Sequence, residues 1–320
     1  MKKIFPNASE SGPVIVLLAL LAMFSVAGSN FATLENIASI IETSAIPVIA
    51  VVGLTFVMLQ GSIDLSMEGI ASLTCISTGL LVANSVTHDH SIWLALVVGM
   101  GAGLGFGLLN GLLYTRLKIP SFITTLGTWF VAGGLATFVF PSRQPLITDR
   151  AFLSVALDKH LGVSGIVYVA AIATALAYVI QTRTRLGRLS TGIGGDETLC
   201  RLAGIRVDTV KVTVFALSGL LSALCGVLLA AQLGVGNASG GEGLLFPTVS
   251  AAVIGGTYLS GGRGGVLHSV TGVLILAVLR NGLLQVGLDP LLLQTVEGGA
   301  IVVAVVVGSL HLRTKLRVVK

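Results

Sequence analysis

The chain has 320 residues, of which 54% are hydrophobic and 10% charged, with a mean hydropathy of +0.96 and a formal net charge of +5. Soluble domains carry about a quarter charged residues, so this composition excludes a soluble enzyme, and three cysteines exclude a disulfide scaffold. An all-α, polytopic membrane protein remains: at roughly 20 residues per crossing the chain holds about ten spans and no folded soluble domain.

The first expected span runs from Pro13 to Phe31. Its Lys2-Lys3 start and the small residues near Ala27 and Gly28 also fit a cleaved leader, but the run is long enough to cross and further spans follow. Ala45 to Leu59 and Met67 to Val86 come next, separated by Gln60-Gly61-Ser62-Ile63-Asp64-Leu65-Ser66. Asp64 and Ser66 precede an apolar run, where side-chain oxygens accept from the free amides of a helix start and negative charge suits its dipole. An ionisable group near membrane depth is also a candidate for a substrate or proton role.

The fourth and fifth spans are Ile92 to Tyr114 and Phe122 to Phe140. His88-Asp89-His90, just before them, suits a surface metal by residue type and a solvated turn by position. Gly99, Gly101, Gly103, Gly105, Gly107 and Gly111 crowd the fourth span; in a soluble helix each would cost about 1 kcal/mol relative to alanine, whereas in lipid small residues let helices pack backbone to backbone. The connection Pro141 to Gly162 mixes Arg143, Asp149, Arg150, Asp158 and Lys159, and complements a charged partner or is simply solvated.

After the sixth span, Gly165 to Ile180, comes a polar segment from Arg183 to Lys211. Within it, Asp196 to Gly204 has the Asp-x-x-Leu spacing and terminal glycine of one short capped helix. The plain reading is a solvated basic loop. A helix with Leu199 and Leu202 on one side, however, has no lipid to bury them in and calls for a partner protein.

Val212 to Leu233, Thr248 to Leu259, Val266 to Val286 and Leu292 to Leu310 complete the spans. Thr248 to Leu259 is short and glycine-flanked, and either crosses or belongs to a broken helix lining a cavity. The glycine-rich Gly255 to Gly265 lacks the Lys-Ser/Thr ending of a phosphate-binding loop, and no G-x-x-x-x-G-K-[ST] occurs in the chain, which speaks against ATP hydrolysis here. Ser260 and His268 lie close in sequence without a nucleophile turn, weak grounds for a hydrolase. Cys75, Cys200 and Cys225 fall in two spans and the polar segment, which disfavours a disulfide.

With the N-terminus inside, 15 of the 19 basic residues fall on the cytoplasmic side; Arg143, Arg150 and Lys159 lie outside and Arg280 within a span. Both termini are therefore expected in the cytoplasm, and the positive charge is a topology signal, not a nucleic-acid one. Arg280 and Glu297 lie equally far from the turn around Leu288 and Asp289, so an antiparallel hairpin would bring them together as an ion pair.

Three ordered motifs resemble the permease subunits of bacterial ABC importers of the ribose, xylose, arabinose and autoinducer-2 group, over essentially the whole chain. Gly61-Ser62-Ile63-Asp64-Leu65-Ser66-Met67-Glu68-Gly69 is similar to the family's GGIDLSVGS. Gly187-Arg188, Gly194-Gly195-Asp196-Glu197 and Arg201-Leu202-Ala203-Gly204-Ile205-Arg206-Val207 follow its cytoplasmic pattern, and Gly255 to Gly264 follows GGTSLxGGxG. Ser62, Glu68, Asp196, His268 and Arg280 depart from the usual residues.

The resemblance implies a fold of the type II-like importer permeases, a single domain over residues 1–320, and a bacterial inner-membrane location. It also implies pairing with a second permease copy or paralogue, a monosaccharide delivered by a periplasmic binding protein, and a separate ABC ATPase subunit that carries ATP and Mg. The segment 183–211 is the expected coupling element, with Arg188, Gly195, Asp196, Glu197, Arg201, Leu202 and Gly204 toward the ATPase. Gln60, Ser62, Asp64, Asn110, Asn281 and Gln285 are the expected polar groups of the conduit. A facilitator or secondary transporter working without an ATPase is the alternative, for which Asp64, Arg280 and Glu297 are a sparse set of ionisable groups.

Overall fold

The structure, a computed structural model, describes residues 8–28, 30–87, 91–289, 291–293, 295, 296, 298, 299 and 302. In chain order the elements are α1 (Ala8–Ala27), α2 (Leu34–Leu59), α3 (Met67–Leu81), α4 (Ile92–Arg116), α5 (Ser121–Phe138), α6 (Arg150–Leu157), β1 (Lys159–His160) and β2 (Val163–Ser164). They continue with α7 (Gly165–Arg183), α8 (Arg185–Gly195), α9 (Glu197–Leu202), α10 (Val207–Leu233), α11 (Leu245–Ile254) and α12 (Val266–Gln285).

Among the described residues six helices, α2, α4, α5, α7, α10 and α12, are long and apolar enough to cross a bilayer, and Ser11–Ala27, α3 and α11 are shorter apolar helices. The expected tenth span, Leu292 to Leu310, lies largely outside the described residues, as do His88-Asp89-His90 and Glu297. The two connections expected as loops carry structure: α6 and the β1–β2 hairpin within 141–162, α8 and α9 within 183–211.

Helices α2 and α10 form the centre, with most of their lengths buried. Helices α4, α5 and α7 bury a narrow strip and turn residues such as Trp93, Leu108, Phe130 and Ile172 outward. Apolar surface turned outward around a buried pair is the arrangement of a bundle whose solvent is lipid.

The glycines of α4 act on one face. A Cβ on Gly103, Gly107 or Gly111 would collide with Gly219, Phe215 or Val212 of α10, and one on Gly219 with Gly103, whereas Gly101 and Gly105 face open space. Spacing by four residues puts the first three on one stripe, and the close approach substitutes for the hydrophobic drive that lipid does not supply.

Two interruptions shape the interior. Residues 60–66 run without helix between α2 and α3. The second lies between α10 and α11, where the chain descends along α3: Gly236 packs against Gly79, Gly240 against Cys75, and Gly241 against Ser72 and Glu68. Helix α11 has 10 residues and about 15 Å of rise, less than the roughly 30 Å of a bilayer's hydrocarbon core. The segment beyond α11 then reaches α2, Gly262 donating its N–H to the Leu59 carbonyl at 2.9 Å. Non-helical backbone at such depth is tolerated where it is packed in protein or lines a cavity.

A seam ties the ends of α3 and α10. Pro145 to Thr148 lies between the ends of α3 and α10: Ser85 N donates to Leu146 O, Thr148 N to Ala83 O, Ile147 N to Gly234 O and Gly236 N to Pro145 O, each at 2.9 Å. Replacing Gly219 by leucine should destabilise the fold by about 1–3 kcal/mol through overpacking, while Gly101→Leu leaves the melting temperature in detergent unchanged. Equal melting of the two variants would contradict the α4–α10 contact.

Candidate functional site

A cavity of about 640 Å³ opens between α3, α5 and the descending segment after α10. Glu68, Gly69 and Ser72 line it from α3, Trp129, Phe130, Gly133 and Thr137 from α5, and Asn237, Ser239 and Glu242 from the segment. Trp129 and Phe130 stack with ring centroids 5.5 Å apart. Flat aromatic faces suit the C–H faces of a ring solute, and carboxylates, hydroxyls and amides suit its hydroxyl groups.

Glu68 holds the floor. Its Oε1 accepts from Gly243 N at 2.9 Å and its Oε2 from Leu245 N at 3.3 Å, and Ser72 Oγ accepts from Gly241 N at 3.0 Å. A carboxylate on the free amides that open α11 satisfies both the donors and the helix dipole. The residue that departs from the usual glycine therefore fixes the depth at which α11 begins.

Below it lies the interruption after α2. Asp64 is fully buried. Its Oδ1 accepts from Ser66 N at 2.9 Å and Ser66 Oγ at 2.6 Å, and its Oδ2 accepts from Ser218 Oγ of α10 at 2.7 Å. Ser66 Oγ in turn accepts from Asn110 Nδ2 at 2.8 Å, and Asn110 Oδ1 accepts from Thr128 Oγ1 at 2.7 Å. Asp64 thus turns the chain by an i to i+2 bond, and the Ser66 side chain makes no cap bond to α3, contrary to the capping expected of it.

The expected conduit residues fall into separate buried groups and do not line one path. Asp64 and Asn110 belong to the network just described. Asn281 and Gln285 of α12 bond Asn36 of α2 at 2.9 and 3.1 Å. Ser62 donates to Tyr114 Oη at 3.2 Å. Gln60 is buried, and its amide nitrogen and oxygen have no hydrogen-bond partner among the described residues, an arrangement that costs about 1–3 kcal/mol for each unsatisfied group. Arg280 makes an interaction within the structure, and its expected partner Glu297 lies outside the described residues.

At the α8–α9 end, Asp196 Oδ1 accepts from Leu199 N at 2.9 Å and starts α9; Gly204, at φ 78°, ends it in the left-handed region. Leu199 and Leu202 are 62% and 79% exposed. Glu197 Oε1 and Oε2 sit 2.9 Å from Arg201 Nη2 and 2.7 Å from Lys211 Nζ, and Arg201 reaches Asp208 at 2.6 Å. Partial burial pushes the Glu197 carboxyl up, but the hydrogen bonds and charges of Lys211 and Arg201 outweigh it and hold the group below the usual carboxylate range. Its stabilising charge is present above the ordinary carboxylate pKa and is lost only as pH falls through the lowered one. Arg188 donates to Arg183 O at 3.4 Å, and both Arg188 and Gly195 are exposed. Gly194, next to Gly195, packs its Cα against Leu59 O and the Gly261–Gly262 backbone, so the glycine-rich motif is the seat of α8.

Trp129, Asn237, Glu242, Tyr114 and Lys211 escape the sequence reading. The first three sit in an apolar run and an apparent connection, and the last two at span ends. The regular recurrence Gly236, Gly240, Gly241 was the available signal for a backbone held close to α3. Glu68→Ala should lower the thermal stability by about 1–2 kcal/mol, as for loss of a helix-start cap, with Glu68→Gln losing less; a calorimetric scan in detergent checks the order.

The sequence matches, over residues 36–310, the family described as branched-chain amino acid transport system / permease component. It is 33% identical to the probable ABC transporter permease protein YphD of Escherichia coli K12, covering 95% of this chain and 90% of that protein. It is 34% identical to the ribose import permease protein RbsC of Bacillus subtilis 168 over 92% of this chain and 91% of the relative. With the L-arabinose transport system permease protein AraH of Escherichia coli K12 it shares 28%, over 93% and 89%. A solved inward-facing metal-chelate type ABC transporter shares the fold, with TM-score 0.50 and 16% identity over 93% of this chain and 98% of that one. The glycine-stapled bundle, its two interruptions and its exposed capped helix are thus those of a chain that belongs to the permease-component family of ABC transport systems.

Proposed function

We propose that this chain is the transmembrane permease subunit of an ATP-driven importer for a monosaccharide or related small polyol. It is a single permease domain over 1–320 with about ten crossings, α11 and the descending segment together making one of them. It lies in the bacterial inner membrane with both termini cytoplasmic, surrounded by lipid. A second permease copy or paralogue completes the conduit, a periplasmic binding protein delivers the sugar to the 141–162 side, and a separate ABC ATPase subunit binds ATP and Mg.

The observation that carries this reading is α9. A capped six-residue helix, pinned to α10 by ion pairs, holds Leu199 and Leu202 outward. Such a surface suits a protein partner. Arg188, Gly195, Asp196, Glu197, Arg201, Leu202 and Gly204 form or support that face. The names of the ribose and L-arabinose relatives support a sugar substrate and disfavour the facilitator alternative. The conduit runs through the cavity at Glu68, Trp129 and Glu242, with Ser62, Asp64 and Asn110 tying the helices beside it, Gln60 buried at the end of α2, and Asn281 and Gln285 holding α12 against α2.

Reconstituted with its ATPase and binding protein, the chain should take up ribose or L-arabinose only with ATP; uptake without the ATPase would favour a facilitator. Leu199→Asp with Leu202→Asp should abolish co-purification of the ATPase while membrane insertion persists. Gly204→Leu, strained at a left-handed position, should keep ATP hydrolysis and lose uptake. Normal uptake in these variants would overturn the assignment.

A further inference from the structure

We infer that Lys211 and Tyr114 transmit the position of α9 to the cavity, through a continuous contact from Glu197 to Ser62 and onward through the Asp64 interruption to Glu68. The inference rests on the reading of α9 as the ATPase-docking helix and adds the route by which that docking reaches the solute path.

Lys211 lies in the second turn of α10 and is 5% exposed. Its Nζ is 2.7 Å from Glu197 Oε2, 2.9 Å from Tyr114 Oη and 4.4 Å from the centroid of the Tyr114 ring. Glu197 belongs to α9 and Tyr114 to α4, so one buried cation bridges three helices. Tyr114 Oη also accepts from Ser62 Oγ, at 3.2 Å. Its ring is fixed edge-on against Phe215 of α10, with centroids 5.8 Å apart.

The other ion pair on α9, Arg201 with Asp208, has both side chains about half exposed. Water and salt can replace it when α9 shifts. Lys211 has no such substitute. If α9 moves and takes Glu197 away, a buried ammonium is left with a phenol and a ring face, an outcome that a low-dielectric site resists strongly. The alternative is that Lys211, Tyr114 and α9 move together.

What Tyr114 carries with it is the start of the interruption. Ser62 is buried and two residues from Asp64, whose three hydrogen bonds connect the segment to α10 and, by way of Ser66, to Asn110. Glu68 follows four residues after Asp64 and holds the amides of Gly243 and Leu245 at the cavity floor. Each link is a hydrogen bond or a short run of backbone, the contiguous network that coupling between distant sites can use.

The test uses the permease–ATPase complex in nanodiscs, carrying Cys200→Ser in every variant and Ser239→Cys as a cavity reporter, labelled with a maleimide with and without ATP plus vanadate. In the parent, ATP and vanadate should change the labelling rate roughly fivefold or more, within the usual range for coupled sites. Lys211→Met, and Tyr114→Phe, which keeps the ring and removes Oη, should bind ATPase and hydrolyse ATP yet lose that change. The pair Glu197→Gln with Lys211→Met, read only in complexes that still co-purify with the ATPase, removes both charges, so a merely structural ion pair would be relieved and the response restored; transmission predicts that it stays lost. A restored response in the double variant, or a parent-like response in Lys211→Met or Tyr114→Phe, overturns the inference, and Tyr114→Phe decides it if the methionine variant does not assemble. A parent that binds ATPase but shows no ATP-dependent change also overturns it. A parent that binds no ATPase overturns the docking assignment itself, and is told apart by co-purification alone.

Discussion

The fully buried carboxylate of Asp64 is the point on which the interior turns. A helix that stops inside a bilayer leaves amides and carbonyls that lipid cannot satisfy, and α2 stops at Leu59 with α3 not beginning until Met67. Asp64 holds the intervening chain by bonding its own neighbour Ser66 and reaching across to Ser218. Because Ser66 also engages Asn110, and Asn110 engages Thr128, one acidic side chain joins the interruption to α10, α4 and α5. The position of Glu68, and so the depth at which α11 starts, depends on that anchor.

Close backbone packing complements it. The α4 stripe of Gly103, Gly107 and Gly111 brings α4 close against α10, and the Gly79–Gly236 contact lets the non-helical descending segment lie close against α3. Gly194 against Leu59 and Gly262 does the same where α8 meets the bundle. Close-packed glycines recur at further contacts, such as Gly226 against Ala71 and Gly272 against Ala251, whereas others, such as Gly101 and Gly133, face open space.

Much of the helical layout was legible because apolar runs mark it: the starts of α4, α7 and α12 at Ile92, Gly165 and Val266 coincide with the expected spans. Helices that carry polar residues into contact with protein extend beyond their apolar runs. Helix α2 begins at Leu34 rather than Ala45, since Asn36 bonds Asn281 and Glu42 meets Lys159 and Ser164. Helix α10 begins at Val207 rather than Val212, since Asp208 and Lys211 find partners on α9 and α4. The site was less legible for the same reason. Polarity singled out Asp64, Asn110 and Asn281, but a polar side chain in a membrane bundle is as readily a tie between helices as a lining group, and hydropathy does not tell which. The cavity instead draws on Trp129 and Phe130, hidden in an apolar run, and on residues 237–242, whose descent depends on tertiary contacts with α3.

The seam at Pro145 to Thr148 has a mechanical meaning. Its four backbone hydrogen bonds splice the end of α3 to the end of α10, and the Asp64–Ser218 bond joins the segment before α3 to the middle of α10. Tied at these two levels, α3 and α10 are held against each other. The cavity wall that α3 supplies is therefore cross-braced to α10, and the Trp129–Phe130 pair of α5 faces that braced wall from the other side.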